Sequence, residues 1–350
     1  MPHHPVAPTP PGPQRGSDYA QLSRQVKQAG LLERRPWRYT WRIAVTATML
    51  AAGWAAFVLV GDSWWQLAVA TFLAVMFTQV GFLGHDAGHR QISSSRRVSY
   101  ILGVLLGNLG IGLSYGWWVD KHNRHHAHPN TEGADPDIAM RVLAFTAAQA
   151  RASRGLSRMV FRNQAFLFFP LLLGEAFSVH AASIRALASR SSRVRPAEAA
   201  LLATHLAGYL AVVFLVLPPV KAVVFILVQQ GLFGVYLGAS FAPNHKGMPI
   251  LDAADRSDFL CRQVLTSRNV RGGWLTDIAL GGLNYQIEHH LFPSMPRSNL
   301  RRSQPLIREF CRQRGLPYCE ASLAGSYAQA LRHLAIIGRL SRPVTAPAEN

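Results

Sequence analysis

The sequence predicts an all-α integral membrane protein with four transmembrane helices in two hairpins, further helices at the membrane interface, and a cytoplasmic cap that carries a dinuclear metal site. Three observations predict this fold class. Long uncharged apolar stretches recur along the 350 residues, the basic residues lie almost entirely on one side of them, and histidines cluster at their ends.

Four apolar stretches are long enough to cross a bilayer, whose hydrocarbon core of about 30 Å requires roughly 20 residues of helix. Only a few residues, around Gly61–Asp62 and at 218–221, join these stretches in pairs, so each pair is predicted to cross out and back. The predicted spans are about 43–60, 64–84, 199–217 and 222–243.

The basic residues predict the orientation. The chain has 36 Lys and Arg against 18 Asp and Glu, a formal net charge of +18. If the four stretches cross, every basic residue except Lys221 lies on the side that holds both termini, and an excess of Lys and Arg marks the cytoplasmic side. We expect no nucleic-acid partner, because no module of interleaved basic and aromatic residues is present.

Two further apolar stretches, 98–118 and 164–179, are predicted to be interfacial or re-entrant rather than spanning. If 164–179 crossed, the four arginines of 185–195 would lie outside. If 98–118 crossed, the histidines before and after it would lie on opposite faces of the membrane.

The predicted organisation is one membrane domain with short tails. Residues 1–40 are expected to be cytoplasmic and partly disordered, 41–340 to form the membrane domain, and 341–350 to be a disordered tail. The domain's cytoplasmic histidine-bearing regions are 85–126 and 245–320. We expect no signal peptide, because the first apolar stretch begins only at residue 43.

Eight histidines are predicted to meet at the cytoplasmic membrane boundary. His85 and His89 are four residues apart, so on a helix their side chains project from one face. His289 and His290 are adjacent, so their rings diverge, and diverging neighbours suit two metal ions better than one. The predicted ligands, four for each ion, are His85, His89, His122, His125, His126, His245, His289 and His290.

The donor set limits the metal. Eight imidazoles without thiolates favour iron, with zinc, copper or nickel also chemically acceptable. The three cysteines contain no CxxC pair, which excludes a cysteine-rich zinc or iron–sulfur site. The carboxylates of Asp86, Asp135 and Glu288 lie close in sequence to the histidines, where they are expected to accept the outer N–H of ligating rings. Ordinary hydrogen-bonded roles are expected for the remaining histidines outside the N-terminal tail, namely His128, His180, His205 and His333.

The motifs HDAGH, HNRHH and QIEHH, in this order and at these separations, resemble the three histidine boxes of the membrane fatty acid desaturases. The glutamine at the first position of the third box resembles the front-end subgroup. The surrounding segments SYGWWVDKHNRHHAHPN and NYQIEHHLFPSMPRSNL also resemble that subgroup. The resemblance covers roughly residues 40–335.

The resemblance implies a non-haem diiron centre that uses dioxygen to introduce a cis double bond into a fatty acyl chain, carried as acyl-CoA or acyl-lipid. It assigns the ligand role to the seven box histidines, and His245 resembles the family's extra ligand after the last span. Gln286 is expected to be a weak or indirect ligand, with Asn244 beside it.

The resemblance also bears on the source of electrons. Only 42 residues precede the first predicted span, too few for a fused b-type haem domain, and no dinucleotide-binding fingerprint is present. A separate electron donor is therefore expected. The basic cytoplasmic face favours an acidic carrier such as a ferredoxin, with its reductase.

Several alternatives stay open at this level. A hydroxylase, ketolase or acetylenase uses the same ligand set. A zinc-bearing receptor or metal transporter is disfavoured, because a transporter places ionisable ligands near the membrane midplane. Trp117 and Trp118 line the substrate tunnel or belong to an interfacial aromatic belt. The preference for Arg over Lys favours a bacterial genome, and hence a bacterial inner (plasma) membrane.

Overall fold

The structure, a computed structural model, describes residues 15–140, 142–189 and 196–341. Helices dominate this part of the chain, and two three-residue parallel strands pair residue for residue. The predicted disordered residues 1–14 and 342–350 lie outside the described part. The helices are α1 (Arg15–Gln28), α2 (Pro36–Val60), α3 (Gln66–Gly88), α4 (Arg96–Val104), α5 (Tyr115–Ala127), α6 (Ala147–Ala152), α7 (Gly155–Arg162), α8 (Gln164–Leu172), α9 (Glu175–Ala188), α10 (Pro196–Val216), α11 (Pro219–His245), α12 (Phe259–Leu265), α13 (Trp274–Ala279), α14 (Gln286–Leu291), α15 (Arg297–Gln313) and α16 (Leu323–Arg339), and the strands are β1 (Asn269–Arg271) and β2 (Glu320–Ser322).

Among the described residues, four single helices, α2, α3, α10 and α11, are long and apolar enough to cross a membrane. They form two layers that differ in burial. Of the most apolar stretch of each helix, 11% is buried in α2 and 17% in α10, against 56% in α3 and 39% in α11. The outer pair therefore presents its apolar side chains to lipid, and the inner pair packs in the core. This arrangement confirms the predicted all-α, multi-pass membrane fold.

The inner helices extend beyond their predicted cytoplasmic ends. The apolar pattern of the second and fourth predicted spans ends at residues 84 and 243, whereas α3 continues to Gly88 and α11 to His245. Both extensions are polar helical turns that carry histidines. A prediction from hydropathy alone therefore ends each helix before them. The extension brings His85 and His245 onto rigid helical ends.

The tips of the two hairpins meet on the side opposite the histidines. Gly61 adopts a left-handed φ of 58°, which favours glycine, and the Gln66 amide donates to the Phe57 and Gly61 carbonyls at 2.7 and 2.9 Å. Lys221, the one basic residue predicted on this side, pairs with Asp62 at 2.7 Å.

Both stretches that were predicted to be interfacial or re-entrant are broken. The first runs from α4 through a π-helical turn (Leu105–Gly110) and bends by 113° into α5. The second bends by 67° between α8 and α9. Non-helical backbone at this depth requires polar partners. They are His205 and His180, whose Nδ1 atoms lie 2.8 Å from the Leu109 and Gly112 carbonyl oxygens.

Glu198 fixes the direction in which α5 leaves the first break. Its side chain is 2% exposed and accepts hydrogen bonds from the Tyr100 hydroxyl at 2.7 Å and from the Gly116 backbone N–H at 3.1 Å. The second bond places a carboxylate at the N-terminus of α5, where the helix dipole favours negative charge. Since α5 carries three of the predicted ligands, this contact orients part of the site.

Arg268 holds the end of α11 that carries His245. It is fully buried, and its guanidinium donates to the carbonyls of Pro243, Lys246 and Ser326 and to the Gln329 side chain. Pro243 inside the helix has no N–H to donate, so the Ala239 carbonyl accepts instead from the Tyr327 hydroxyl at 2.5 Å. Side chains from outside α11 thus fix the turn that carries His245.

The cap on the histidine side of the spans has its own apolar core. The α1 residues Leu22 and Val26 pack with residues of α12, α14 and α15, including Ile287 and Leu291 of α14. Because α14 has only six residues, it depends on this packing for its position. The core fixes one face of α14, and its two histidines lie on the rest of the helix.

Candidate metal centre

The structure brings all eight predicted ligands together at one place. They come from the end of α3 and the residue that follows it, from α5, from the end of α11 and from α14. All except His122, which is half-buried, are buried. Their ring nitrogens form two adjacent groups, each with its nitrogens within 4.8 Å of one another. The five-histidine group is His85, His89, His122, His126 and His289, and the three-histidine group is His125, His245 and His290.

The split differs from the expected four and four. It follows from the divergence of neighbouring rings. His289 and His290 have rings 5.8 Å apart and inclined at 85°, and each joins a different group. His125 and His126 diverge in the same way, at 5.8 Å and 81°.

Each ring of the three-histidine group donates its Nδ1 hydrogen to a fixed oxygen. His125 Nδ1 lies 3.0 Å from both carboxylate oxygens of Asp135, and His245 Nδ1 lies 2.9 Å from the Thr266 carbonyl. Carboxylates and carbonyls only accept hydrogen bonds, so both Nδ1 atoms carry the hydrogen.

His290 is fixed in the same way by Gln263. The Gln263 amide nitrogen donates to the His126 carbonyl at 2.9 Å, so its oxygen faces His290 Nδ1 at 2.8 Å and accepts the ring hydrogen. The Nε2 atoms of all three rings are therefore left as lone pairs.

These lone pairs test whether the site fits a metal ion. His125 Nε2 and His245 Nε2 lie 3.4 Å apart, so their lone pairs repel each other. The Gln286 amide nitrogen donates to the lone pair of His245 at 2.8 Å, and a cation between the rings would satisfy both lone pairs. His290 Nε2 is buried and has no hydrogen-bond partner among the described residues. Converging, tautomer-fixed imidazole lone pairs suit a divalent transition metal.

The five-histidine group also fits a metal ion. His126 Nε2 lies 3.1 Å from His122 Nε2 and 3.2 Å from His289 Nε2. The Nε2 atoms of His85 and His89 are buried without a partner in the described part of the chain. Buried polar atoms without partners are rare in native proteins. Several of them in one cluster are expected where the atoms are the ligands of a metal ion.

Burial keeps these rings neutral. It lowers the pKa of His122, His126, His289 and His290 well below the usual value, and the proximity of the other rings lowers the pKa further. Neutral imidazole is the form that binds metals. Burial opposes ionisation of Asp135, but the hydrogen bond from His125 prevails and lowers the pKa of this carboxyl.

The other predicted residues occupy different positions. The Gln286 amide nitrogen lies 2.8 Å from His245 Nε2, and the Asn244 side chain donates to the Gln286 oxygen at 3.2 Å. One Asp86 oxygen lies 3.5 Å from His85 Nδ1, and the other pairs with the buried Arg297 at 2.8 Å.

Glu288 was expected to accept from a ligating ring, but its carboxylate accepts from the Asn269 amide at 2.7 Å and from the Tyr318 hydroxyl. Burial raises the pKa of Glu288 to about 7, although both hydrogen bonds oppose the rise. Its contacts hold α14 to β1 and to the segment before β2. Glu288 is next to His289 in sequence, but its carboxylate contacts Asn269 and Tyr318 and not a histidine ring.

The sequence motifs do not reveal two partners of the site. Gln263 lies on α12, and Thr266 contributes only its backbone carbonyl, which any residue type provides. Both lie more than 20 residues from the histidine they contact, outside every box. By contrast, three other histidines lie away from both groups. His333 contacts the Phe145 carbonyl, His180 the Gly112 carbonyl and His205 the Leu109 carbonyl.

A cavity of about 400 Å³ opens onto the histidines. His85, His122 and His125 lie in its wall, and so do Trp117 and Trp118. Apolar residues of α8, α11 and the segment before α6 form much of the remaining wall, which also includes the charged Lys121, Asp137, Glu175 and Lys246. The cavity therefore offers a largely apolar binding space beside the predicted metal-binding rings.

The fold and the site define a multi-pass membrane protein with a buried histidine metal site. A sequence model of the family described as fatty acid desaturase matches residues 62–322, and the chain belongs to this family. The resemblance of the three motifs is thereby confirmed.

Three relatives show the range of similarity. An acyl-lipid (9-3)-desaturase of Physcomitrium patens is 32% identical over 77% of this chain and 52% of its own length. A delta(8)-fatty-acid desaturase of Euglena gracilis is 29% identical over 93% of this chain and 79% of its own. A delta(6)-fatty-acid desaturase of Caenorhabditis elegans is 32% identical over 77% and 64%. The chain thus spans about half the length of the first of these proteins.

Proposed function

We propose that this protein is a membrane fatty acyl desaturase that introduces a cis double bond with dioxygen and two externally supplied electrons at a diiron centre. One observation carries the proposal: two adjacent groups of buried imidazole nitrogens stand at the end of an apolar cavity. The family membership and the names of the relatives support it.

The five-histidine group and the three-histidine group would each hold one iron ion. When bound, the iron pair supplies the activation of dioxygen that is needed to remove hydrogen from unactivated methylenes, which no side chain can do as acid, base or nucleophile. The overall reaction converts –CH2–CH2–, dioxygen, two electrons and two protons into –CH=CH– and two waters.

The protein's own groups position and protect this chemistry. Asp135, Thr266 and Gln263 hold three rings in one tautomer, so their lone pairs point at one place. The apolar cavity binds the acyl chain beside the rings and excludes water. Trp117 and Trp118 form part of the wall that confines the chain.

The substrate is proposed to be an acyl-CoA or acyl-lipid, and the electron donor a separate acidic protein of the ferredoxin type with its reductase. The formal net charge of +18 supports an acidic donor. Donor-dependent turnover should fall as salt rises. Turnover that is independent of salt would contradict a charge-guided donor.

We further propose that both termini and the metal centre face the cytoplasm of a bacterial cell, because every basic residue except Lys221 lies on that side of the four spans. Reporter fusions at each terminus test the orientation. A reporter that is active only in the exported compartment would reverse it.

The test of function is fatty acid analysis of cells that express the chain, with each new double bond located by mass spectrometry. A new unsaturated acid that is absent with His289→Ala supports the proposal. A hydroxy acid as the product would show that the protein is a hydroxylase and not a desaturase. Metal analysis of the purified protein should find two irons per chain, and zinc without oxygen consumption would contradict a diiron oxidase.

A further inference from the structure

Five glycines line the described part of the cavity, and three of them have closer neighbours than the other two. A Cβ atom on Gly238 would lie 2.6 Å from Leu172 Cδ2, and one on Gly107 would lie 3.1 Å from the Leu113 carbonyl oxygen, so the neighbouring atoms would have to shift. A Cβ on Gly174 would lie 3.4 Å from the Leu171 carbonyl oxygen, at the tight edge of an ordinary contact.

Gly81 and Gly84 differ from the other three. Both lie inside α3, and neither has a left-handed φ. A Cβ on Gly81 would come no closer than 3.7 Å to a described atom (Ile111 Cδ1), and one on Gly84 no closer than 3.9 Å (Leu106 Cβ), which are ordinary contacts. Glycine is less favourable than alanine inside a helix, so neither packing nor backbone geometry explains these two residues.

Their position supplies the explanation. Gly81 lies three residues before Gly84 and four residues before His85, which puts it on the same side of α3 as both. All three residues line the cavity. His85 is 4% exposed, and its Nε2 has no hydrogen-bond partner among the described residues. Bare helix backbone therefore forms the cavity wall directly beside a predicted metal ligand.

We propose that Gly81 and Gly84 reserve space for the acyl chain and determine which chains fit, an inference that rests on the proposed function. Gly84 lies beside His85, where the reacting methylenes would pass. Gly81 lies about one helical turn deeper in the membrane, about 4.5 Å from Gly84 and about 6 Å from His85 along the axis, where the apolar end of the chain would lie. Side chains at the two positions should therefore have different effects.

The experiment compares Gly81→Ala, Gly84→Ala and Gly208→Ala. Gly208 is a matched control, since it lies inside α10, is exposed, and a Cβ there would meet no described atom within 4 Å. Two measurements are made with the metal-loaded protein: products from a series of fatty acids of increasing length, and displacement of a fluorescent polyene fatty acid by the same series. Thermal unfolding and metal content are recorded for each variant.

Gly81→Ala should shift the preference from longer to shorter chains by about tenfold, which is typical of one methyl group in an apolar pocket. Gly84→Ala should weaken binding and turnover of all chain lengths. Both variants should unfold at the wild-type temperature or above and keep their metal, and Gly208→Ala should match wild type in product profile.

Two results would overturn the proposal: an unchanged chain preference in both cavity variants, or a fall in unfolding temperature that shows a packing role. The displacement assay does not require turnover. If wild type binds acyl chains without forming product, the proposed function fails, while the shift caused by Gly81→Ala still decides the role of the glycines.

Discussion

The two histidine groups are built differently, although they share one buried centre. In the three-histidine group every ring donates Nδ1–H to an oxygen at 2.8–3.0 Å. In the five-histidine group the Nδ1 atoms of His126 and His289 have no partner in the described residues, and His85 Nδ1 lies 3.5 Å from Asp86. The site with fewer rings has the more fully fixed rings.

This difference has a physical reading. A metal ion held by few ligands loses much of its binding energy if one ring turns, so outer hydrogen bonds that fix the rings matter most there. Five converging rings pack edge to face against one another at centroid distances of 4.5–5.0 Å, as for His89 with His126 and His85 with His122. Mutual packing can replace outer hydrogen bonds when rings are in excess.

The largest effect is expected from removal of a ring. His125→Ala leaves two rings in the three-histidine group and should abolish product and lower the bound metal from two ions to one. His289→Ala should also abolish product. Fatty acid analysis and metal content of the purified variants test this, with membrane insertion as the control. Product from either variant would contradict the ligand assignment.

A smaller effect is expected from Asp135→Asn, which removes the negative charge beside His125 and places an amide nitrogen where an oxygen accepts a backbone N–H of Asn130 or Asp137. Loss of such an outer partner typically reduces metal affinity or activity about 10- to 100-fold. The matched control is Asp120→Asn, whose side chain is 75% exposed and pairs with Arg124 at 3.4 Å. Competition with a chelator measures the affinity. If both variants lowered the metal affinity equally, Asp135 would have no special role in fixing His125.

Gln263→Leu should have a weaker effect of the same kind. It removes the neutral hydrogen bond from His290, worth about 0.5–1.5 kcal/mol, or roughly a two- to tenfold change in metal affinity, and it also removes the donor to the His126 backbone carbonyl. The ion of the three-histidine group should be affected more, because the His126 ring itself loses no contact. Metal release resolved into two phases tests this, and equal changes in both phases would show that the groups are not independent.

The smallest effect on metal affinity is expected from Asp86→Asn, because the contact of Asp86 with His85 is long. The same change leaves Arg297 buried without its partner, which costs about 3–5 kcal/mol of folding stability. Chemical denaturation and chelator competition should therefore disagree, with a large loss of stability and little change in affinity per folded molecule. A large loss of affinity would show that Asp86 fixes His85 after all.

Much of the fold follows from local pattern. Uncharged runs of about 20 residues predict α2, α3, α10 and α11, because lipid imposes the same requirement on every residue of a span. The boundaries are less accurate where a helix leaves the lipid. The apolar pattern ends where polar residues begin, whereas the backbone hydrogen bonds of α11 continue through Asn244 and His245.

The histidines that converge could also be predicted, because spacing along a helix and adjacency are local properties. His289 and His290 diverge on any helix, so their separation into two groups was foreseeable. The five-to-three division was not, since it depends on where His125 and His245 meet. These residues are 120 positions apart, and their rings come within 4.7 Å only through the packing of α5 and α11.

The amino-acid sequence thus specifies the membrane class, the helical spans and the set of imidazoles, since each arises from composition or from neighbours within one or two turns. Tertiary packing decides which oxygen receives each ring hydrogen, where Glu198 and Arg268 hold the helix ends, and which glycines border the cavity. Those features depend on contacts between segments distant in the chain. A carbonyl such as that of Thr266, which every residue type offers, leaves no mark in the sequence.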